Sequence, residues 1–130
     1  MKEFMLLLRN EIDHQANWSA DQYHQFLKAC EGYIGNLKKD GKLIAAQPLV
    51  REGKMISGSK GTWKEVPFND PGCYRDKEVQ VGYYHILAKD IDDAIAIAKA
   101  NPEFEFSATA KIEVRPIKMK EQTTGFVYPK

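Results

Sequence analysis

The sequence predicts an α+β domain in which an antiparallel sheet carries two helices on one face. The chain has 130 residues, a length that ordinarily forms one domain. Two segments with apolar residues at helical spacing alternate with segments rich in β-branched and aromatic residues. Their order is strand, helix, strand, hairpin, strand, helix, strand. This order reduces to the ferredoxin-like plan βαββαβ with an inserted β-hairpin.

The first strand is predicted at Glu3–Arg9, a short apolar run between charges, and Asn10–Asn17 is interpreted as a loop. Ser19 and Gln22 have the spacing of a capping box that opens a helix. Gly41 is expected to end this helix in the left-handed conformation. An apolar stripe suited to lying on a sheet runs along the helix: Tyr23, Phe26, Leu27, Cys30, Ile34 and Leu37.

The middle of the chain is predicted to form a second strand and then a hairpin. Leu43–Leu49 is the strand, and the hairpin pairs Lys54–Ser57 with Thr62–Val66 around the Gly58–Gly61 turn. Pro67–Lys77 follows as an ordered loop, since two prolines and a glycine punctuate it.

The last third is predicted to be strand, helix and strand. Val79–Lys89 is rich in β-branched and aromatic residues, and Asp90 then caps a helix that Asn101 and Pro102 stop. The final strand is placed at Ala110–Met119. The chain is therefore interpreted as one domain, 1–130, with its core at about 3–118 and a polar tail at 119–130.

Composition and charge exclude several classes of protein. The 19 Lys and Arg balance the 18 Asp and Glu, so no strongly basic surface for nucleic acid is expected. The longest apolar run near the start, Phe4–Leu8, is too short for a membrane span and lacks a signal-peptide pattern. The two cysteines, Cys30 and Cys73, are expected to be free thiols. We expect a cytoplasmic protein that uses neither metal nor cofactor.

Strand alternation predicts a polar cluster on the sheet face that the helices leave bare. Because side chains alternate between faces, the apolar sets suit the helix-covered side. The remaining positions then share the other face: Arg9, Tyr83, His85, Glu113 and Arg115. His85 is the candidate catalytic acid or base, and the others are candidate ligand-binding residues.

Two interpretations of this cluster stay open. Its charged members can bind an anionic or phenolic ligand, or they can pair with one another and fix the register of a dimer. A bare, partly apolar sheet face favours pairing with a second sheet, so a homodimer is expected in both cases.

Other titratable residues are weaker candidates. His14 is expected in a solvated loop, although it could reach a pocket mouth with Trp18, and His24 is expected at the surface. Cys73 lies near Arg75, but an ordinary loop cysteine is favoured over a nucleophile. Three hairpin lysines surround Trp63 and superficially resemble a nucleic-acid surface; the balanced charge speaks against that.

Several segments that follow one another over about residues 3–118 form a recognisable set. They are Met5–Leu8, Gly41–Leu43, Lys77–Glu78, Val81–Tyr84 and Ile112–Ile117, with Ala88–Asp90 and Asp92–Ala94. In this order and spacing they resemble the YCII-related family, specifically its DGPF-motif branch. The resemblance implies a dimeric α+β barrel, in which two ferredoxin-like sheets face each other around an interior that holds small organic molecules.

The chain departs from the family at the motif that names the branch. Asp70-Pro71-Gly72-Cys73 stands at the Asp-Gly-Pro-Phe position, so Asp70 matches while the Gly-Pro order and the Phe do not. The resemblance makes Asp70 a candidate ligand-binding residue. The catalytic His and Asp of the wider group are not mapped onto any residue of this chain.

The leading hypothesis is a homodimer that binds a small anionic or aromatic molecule, between sheet and helices or between sheets. It would catalyse a cofactor-independent acid/base step of the isomerase or lyase type. The alternative is a non-catalytic dimeric module for protein interaction or regulation.

Overall fold

The computed structural model describes residues 1–68 and 78–129, which fold into strands and helices in an α+β arrangement. The sheet is antiparallel, as the sequence predicts. The elements are β1 (Lys2–Glu11), α1 (Ala20–Lys39), β2 (Leu43–Pro48), β3 (Lys54–Ser59), β4 (Thr62–Pro67), β5 (Glu78–Ala88), α2 (Ile91–Lys99), α3 (Glu103–Phe106) and β6 (Lys111–Pro116). None of the helices in these two ranges is long and apolar enough to cross a membrane.

The main sheet has four strands in the order β2-β5-β1-β6, and every neighbouring pair is antiparallel. β1 is central, so that Leu6 lies between Tyr84 of β5 and Val114 of β6. β3 and β4 pair with each other in a separate two-stranded sheet. Their turn is tighter than predicted, because Ser59 pairs directly with Thr62 and leaves two residues between them.

The hydrophobic core lies between one face of the main sheet and both long helices. Strict alternation along β1 buries every second residue, as predicted. Leu6 and Ile86 are fully buried at the centre. α2 contributes Ala94 and α1 contributes Leu37 to the same cluster. No helix within residues 1–68 and 78–129 covers the other face of the sheet.

The ends of α1 follow the sequence signals closely. The Ser19 hydroxyl accepts from the Gln22 amide at 3.1 Å, and the Gln22 side chain accepts from the Ser19 amide at 2.9 Å. Gly41 has φ +68°, and the Lys42 amide donates to Leu37 O at 2.9 Å. Both the capping box and the glycine stop are therefore confirmed.

The middle of α1 differs from prediction. Tyr23 is 42% exposed and Leu27 is 53% exposed, although both belong to the predicted stripe. Only Phe26 and Leu37 of that stripe are buried. The reason is that an open cavity separates the first half of the helix from the sheet, so these side chains line a space instead of packing on strands.

Two boundaries of the predicted elements were wrong. Asn10 is not in a loop, because β1 continues to Glu11 and pairs with β5 as far as Glu78. A bulge between Leu8 and Arg9 lets the pairing shift past Val81 and continue. At the other end of the chain, β6 is shorter than predicted and stops at Pro116, which has no amide proton to donate.

The helix stop before Pro102 leads into a short helix that the sequence analysis missed. α2 ends as predicted, but α3 begins two residues beyond Asn101. The Asn101 Oδ1 accepts from the Glu103 amide at 2.9 Å, so Asn101 acts as the side-chain cap of this turn.

Candidate functional site

The predicted open-face residues lie on the face opposite the helices. The register places Arg115, Met5 and His85 in one row across three strands. The next row holds Tyr83 and Glu113 on either side of Leu7. All of these side chains are partly or fully exposed.

These residues form separate ion pairs instead of one cluster. His85 Nε2 lies 2.7 Å from Glu3 Oε1, and Arg115 lies 3.5 Å from Glu113. Arg9 Nε lies 2.9 Å from Glu78 Oε1. The predicted members are therefore held by carboxylates of their own strand or of a neighbouring strand.

Two of those carboxylates were missed by the sequence analysis. Glu78 also binds Lys111 at 2.7 Å, and hydrogen bonds from Lys111 and then Arg9 lower the pKa of the Glu78 carboxyl. Glu3 shares the odd-numbered phase of Met5, and this phase was a signal that could have placed it beside His85. The remaining predicted site residue, Asp70, lies outside the described residues, as does the altered motif that follows it.

A cavity of about 1100 Å³ lies on the opposite side of the sheet, between α1, β2 and the segments that follow β1 and β2. Its volume is close to the upper end for small-molecule sites. Most of its wall is apolar, and includes Leu8, Ile12, Phe26, Leu27, Ile34, Leu49 and Val81. Among the residues that line it in the described ranges, none belongs to the predicted open-face set.

One end of the cavity is polar and buried. Asn101 is 2% exposed and Glu103 is 7% exposed, and Tyr84 and Cys30 line the same end. Burial, and then the charge of Glu103, raise the pKa of Cys30 to about 11. Burial also raises the pKa of Tyr84 above its usual range. Both groups therefore remain protonated near neutral pH and can act as hydrogen-bond donors.

The Asn10 side chain holds Glu103 in place through a network of hydrogen bonds. Its Nδ2 donates to Ser107 Oγ at 3.1 Å and reaches Glu103 Oε2 at 3.4 Å. Its Oδ1 accepts from the Glu11 amide at 2.8 Å and from the Thr109 hydroxyl at 2.7 Å. This fully buried amide ties the end of β1 to the segment that carries the polar end of the cavity.

His14 is not in a solvated loop, and the prediction for it was wrong. Its side chain is 2% exposed, because the segment after β1 folds back and the ring packs edge-on against Trp18 at 5.9 Å. Nδ1 lies 3.1 Å from Glu11 O and 3.4 Å from Arg51. Nε2 has no hydrogen-bond partner and lies 3.8 Å from Glu103 Oε2. His24 is exposed, as predicted.

Charged side chains of both signs line the rest of the cavity. They are Arg51 and Lys38 together with Asp13 and Glu31, and Arg51 is oriented by a 2.9 Å hydrogen bond from its Nη1 to Leu49 O. The cavity therefore combines an apolar wall, charges of both signs and a buried end with hydrogen-bond donors and a carboxylate. Such a space can bind an organic molecule and orient it by its polar group.

Few signals in the sequence predict this site. Asn101 was interpreted only as a helix stop, and Tyr84, which alternates with Tyr83 and His85, was not among the predicted site residues. Glu103 belongs to a turn that was not predicted. No group of three His, Cys, Asp or Glu residues in the described ranges is arranged to hold a metal ion. Comparison with protein-family models finds no match, and comparison with curated proteins finds none.

Proposed function

We propose that this protein binds a small organic molecule in the cavity between α1 and the sheet and performs acid/base chemistry on it without a cofactor. The observation that carries the proposal is the cavity itself. It joins about 1100 Å³ of mainly apolar space to a buried carboxylate at one end. A carboxylate in such surroundings is a suitable proton acceptor.

The proposed proton-transfer pair is Glu103 with His14. The two side chains are buried, and Nε2 stands 3.8 Å from Oε2, which is within ion-pair range but longer than a hydrogen bond. Glu103 lines the cavity and faces the ligand, whereas His14 lies beyond it. In this scheme Glu103 takes the proton from the ligand, and His14 supports the Glu103 side chain from 3.8 Å.

We further propose the ferredoxin-like plan, the dimeric barrel and membership of the YCII-related family. The strand order β6-β1-β5-β2 and the position of the β3-β4 hairpin between β2 and β5 support the plan. The partly buried Met5, Leu7 and Tyr83 on the open face support a second copy as its cover.

A dimer would give His85 a second candidate site between the two sheets. Its 2.7 Å contact with Glu3 is the His–carboxylate arrangement of a general base. The alternative of a non-catalytic module is favoured by the local pairing of Arg9 with Glu78 and of Arg115 with Glu113.

The binding proposal is tested by filling the cavity from α1. A Cβ added at Gly35, which lines the cavity, meets no atom within 4 Å. Gly35→Leu is therefore expected to fold and to reduce binding of 8-anilinonaphthalene-1-sulfonate, an aromatic anion suited to the apolar wall and to pairing with Arg51 or Lys38, by at least tenfold. Fluorescence titration measures the affinity.

Gly32→Leu is the matched control. Gly32 is also a helical glycine of α1 with open space around its Cβ position, but it does not line the cavity. This variant should bind the probe like the wild type. Equal binding by all three proteins would reject the cavity as the ligand site.

The dimer proposal has its own test. Leu7→Arg places a charge in the middle of the open face, so sedimentation equilibrium should show a wild-type dimer and a variant monomer. Arg115→Ala distinguishes a ligand-binding role of Arg115 from a role in dimerisation. If Arg115 serves dimerisation, the variant should associate more weakly than the wild type. A wild-type monomer at every concentration would reject the barrel.

A further inference from the structure

The orientation of the Asn101 amide is fixed by its own cap. Its Oδ1 accepts from the Glu103 amide at 2.9 Å, and only the oxygen of the amide can accept. The Nδ2 must therefore point the other way. It is buried without a hydrogen-bond partner, one of two such side-chain atoms in the described part of the chain. The second is His14 Nε2, on the other side of Glu103.

An unpartnered buried donor is costly, since it has lost its water without a replacement. Asn101 and Tyr84 line the same cavity, and the ring of Tyr33 packs edge-on against that of Tyr84 at 5.4 Å. Burial raises the pKa of Tyr33 to about 12 and that of Tyr84 still further, while the Asn101 amide acts on both in the opposite direction. The two hydroxyls differ in their own partners: Tyr33 donates to Ile97 O at 2.6 Å, and Tyr84 lines the cavity.

Tyr84 is therefore the hydroxyl that can serve a ligand. Because burial raises its pKa, this hydroxyl stays protonated and can donate to a ligand in the cavity that Tyr84 lines. Glu103, on the same wall, supplies the complementary acceptor. The polar end thus offers one donor and one acceptor side by side, and the acceptor is a carboxylate.

We propose that the polar end of the cavity recognises an uncharged amide, whose carbonyl oxygen accepts from the Tyr84 hydroxyl and whose N–H donates to the Glu103 carboxylate. Asn101 lines the same cavity, and its Nδ2 is the buried donor without a partner that a ligand carbonyl at this end would satisfy. A ligand carboxylate is disfavoured at this end by repulsion from Glu103. The inference rests on the proposed function and narrows its ligand from anionic or aromatic molecules to neutral amides at this end.

Three probes of similar size separate the contribution of the amide group from that of a negative charge and from that of the apolar ring. Benzamide has the carbonyl and the N–H, benzoate has the charge, and ethylbenzene has neither. Chemical-shift titration by NMR measures each affinity. Benzamide is expected to bind at least tenfold more tightly than benzoate, and about fivefold more tightly than ethylbenzene.

Two variants then assign the contacts. Tyr84→Phe keeps the ring and removes the hydroxyl, so benzamide affinity should fall about fivefold, the value of one neutral hydrogen bond, with ethylbenzene unchanged. Asn101→Asp keeps the oxygen that caps α3 and removes the donor, so it should lower the ratio of benzamide affinity to ethylbenzene affinity. The exposed Asn36→Asp on α1 is the matched control and should leave the ratio unchanged.

The outcomes distinguish the inference from the function on which it rests. If benzamide binds no better than ethylbenzene, or if Tyr84→Phe leaves the ratio unaltered, the amide site is overturned, while binding of the naphthalene probe still stands on the Gly35→Leu result. If Gly35→Leu leaves every probe unaffected, the cavity itself is rejected. Should Asn101→Asp fail to fold, Tyr84→Phe decides alone.

Discussion

Polar side chains of the same types have different partners on the two faces of the main sheet. On the open face, His85 meets Glu3 at 2.7 Å, and Arg9 meets Glu78 at 2.9 Å. On the helix-covered face, His14 stands 3.8 Å from Glu103 and its Nε2 has no hydrogen bond. The open face satisfies its polar groups beside solvent, whereas the covered face leaves some unsatisfied in a buried place.

This difference is informative because it does not follow from what the contacts contribute to the free energy of unfolding. Partly exposed ion pairs contribute little to stability, and a buried polar atom without a partner costs free energy. A fold with no further use for His14 and Asn101 would gain by replacing them with apolar residues. The unsatisfied groups therefore mark the covered face, not the charged face, as the better place for a ligand.

The largest expected contrast comes from neighbouring leucines in β1. Leu6 is fully buried under the helices, so Leu6→Ala should cost about 3 kcal/mol of unfolding free energy. Leu7 is half-buried on the open face, and Leu7→Ala should cost less than about 1.5 kcal/mol at low protein concentration. Urea denaturation measures both. Equal losses that grow with concentration would show that the open face is covered by a second copy.

A second contrast concerns the reactivity of Cys30. Burial and then the Glu103 charge raise its pKa from 9.0 to about 11, so the thiolate fraction at pH 8 falls about a hundredfold. Because the raised pKa depletes the nucleophilic form, iodoacetamide labelling should be slow at pH 8 and should speed up steadily to pH 11. Peptide mass spectrometry follows Cys30 specifically. Labelling at the rate of free cysteine would contradict the buried environment.

Removal of the Asn10 side-chain amide should have the next largest effect, which is on the free energy of unfolding. Asn10→Ala breaks four side-chain hydrogen bonds in a buried place and should cost about 2 kcal/mol. Gln80→Ala, an exposed position on the paired strand, should change stability by less than about 0.5 kcal/mol. Thermal or urea unfolding compares them. Similar values for both would mean that the network does not hold Glu103.

The smallest effect is expected on the open face. Lys111 and Arg9 lower the pKa of Glu78 in the folded protein, so its contribution is present above the unfolded pKa and is lost as pH falls through the folded pKa. Glu78→Gln should cost about 0.5 kcal/mol at pH 7 and nothing at pH 2. Unfolding measured at both pH values tests this. A cost that persists in acid would assign it to packing instead of charge.

Local signals predicted much of the fold. The capping box at Ser19, the stop at Gly41 and the Asp90 cap rest on contacts within five residues, so the sequence reveals them directly. The phase of β1 is also local, since each residue fixes the face of the next. These features placed the helices and the central strand correctly.

The candidate site could not be predicted in the same way. Glu103 and Asn10 are 93 positions apart, and Asn10 was assigned to a loop. Tyr23 and Leu27 fit an apolar stripe equally well whether they pack on a sheet or line a cavity. Only the three-dimensional spacing of α1 and β2 separates those outcomes, and no residue pattern encodes an empty volume.

The bulge opposite Leu8 and Arg9 divides β5 into two halves of opposite phase. Val79 and Val81 face inward before it, and Tyr84 and Ile86 face inward after it. Deletion of Val81, which the pairing with β1 skips, would restore a single alternation, keep both halves facing as they do now and remove one residue that lines the cavity. Insertion or deletion of one residue elsewhere in the strand would turn one half of it inside out. The bulge is thus a place in β5 where the chain length can change while the neighbouring side chains keep their faces.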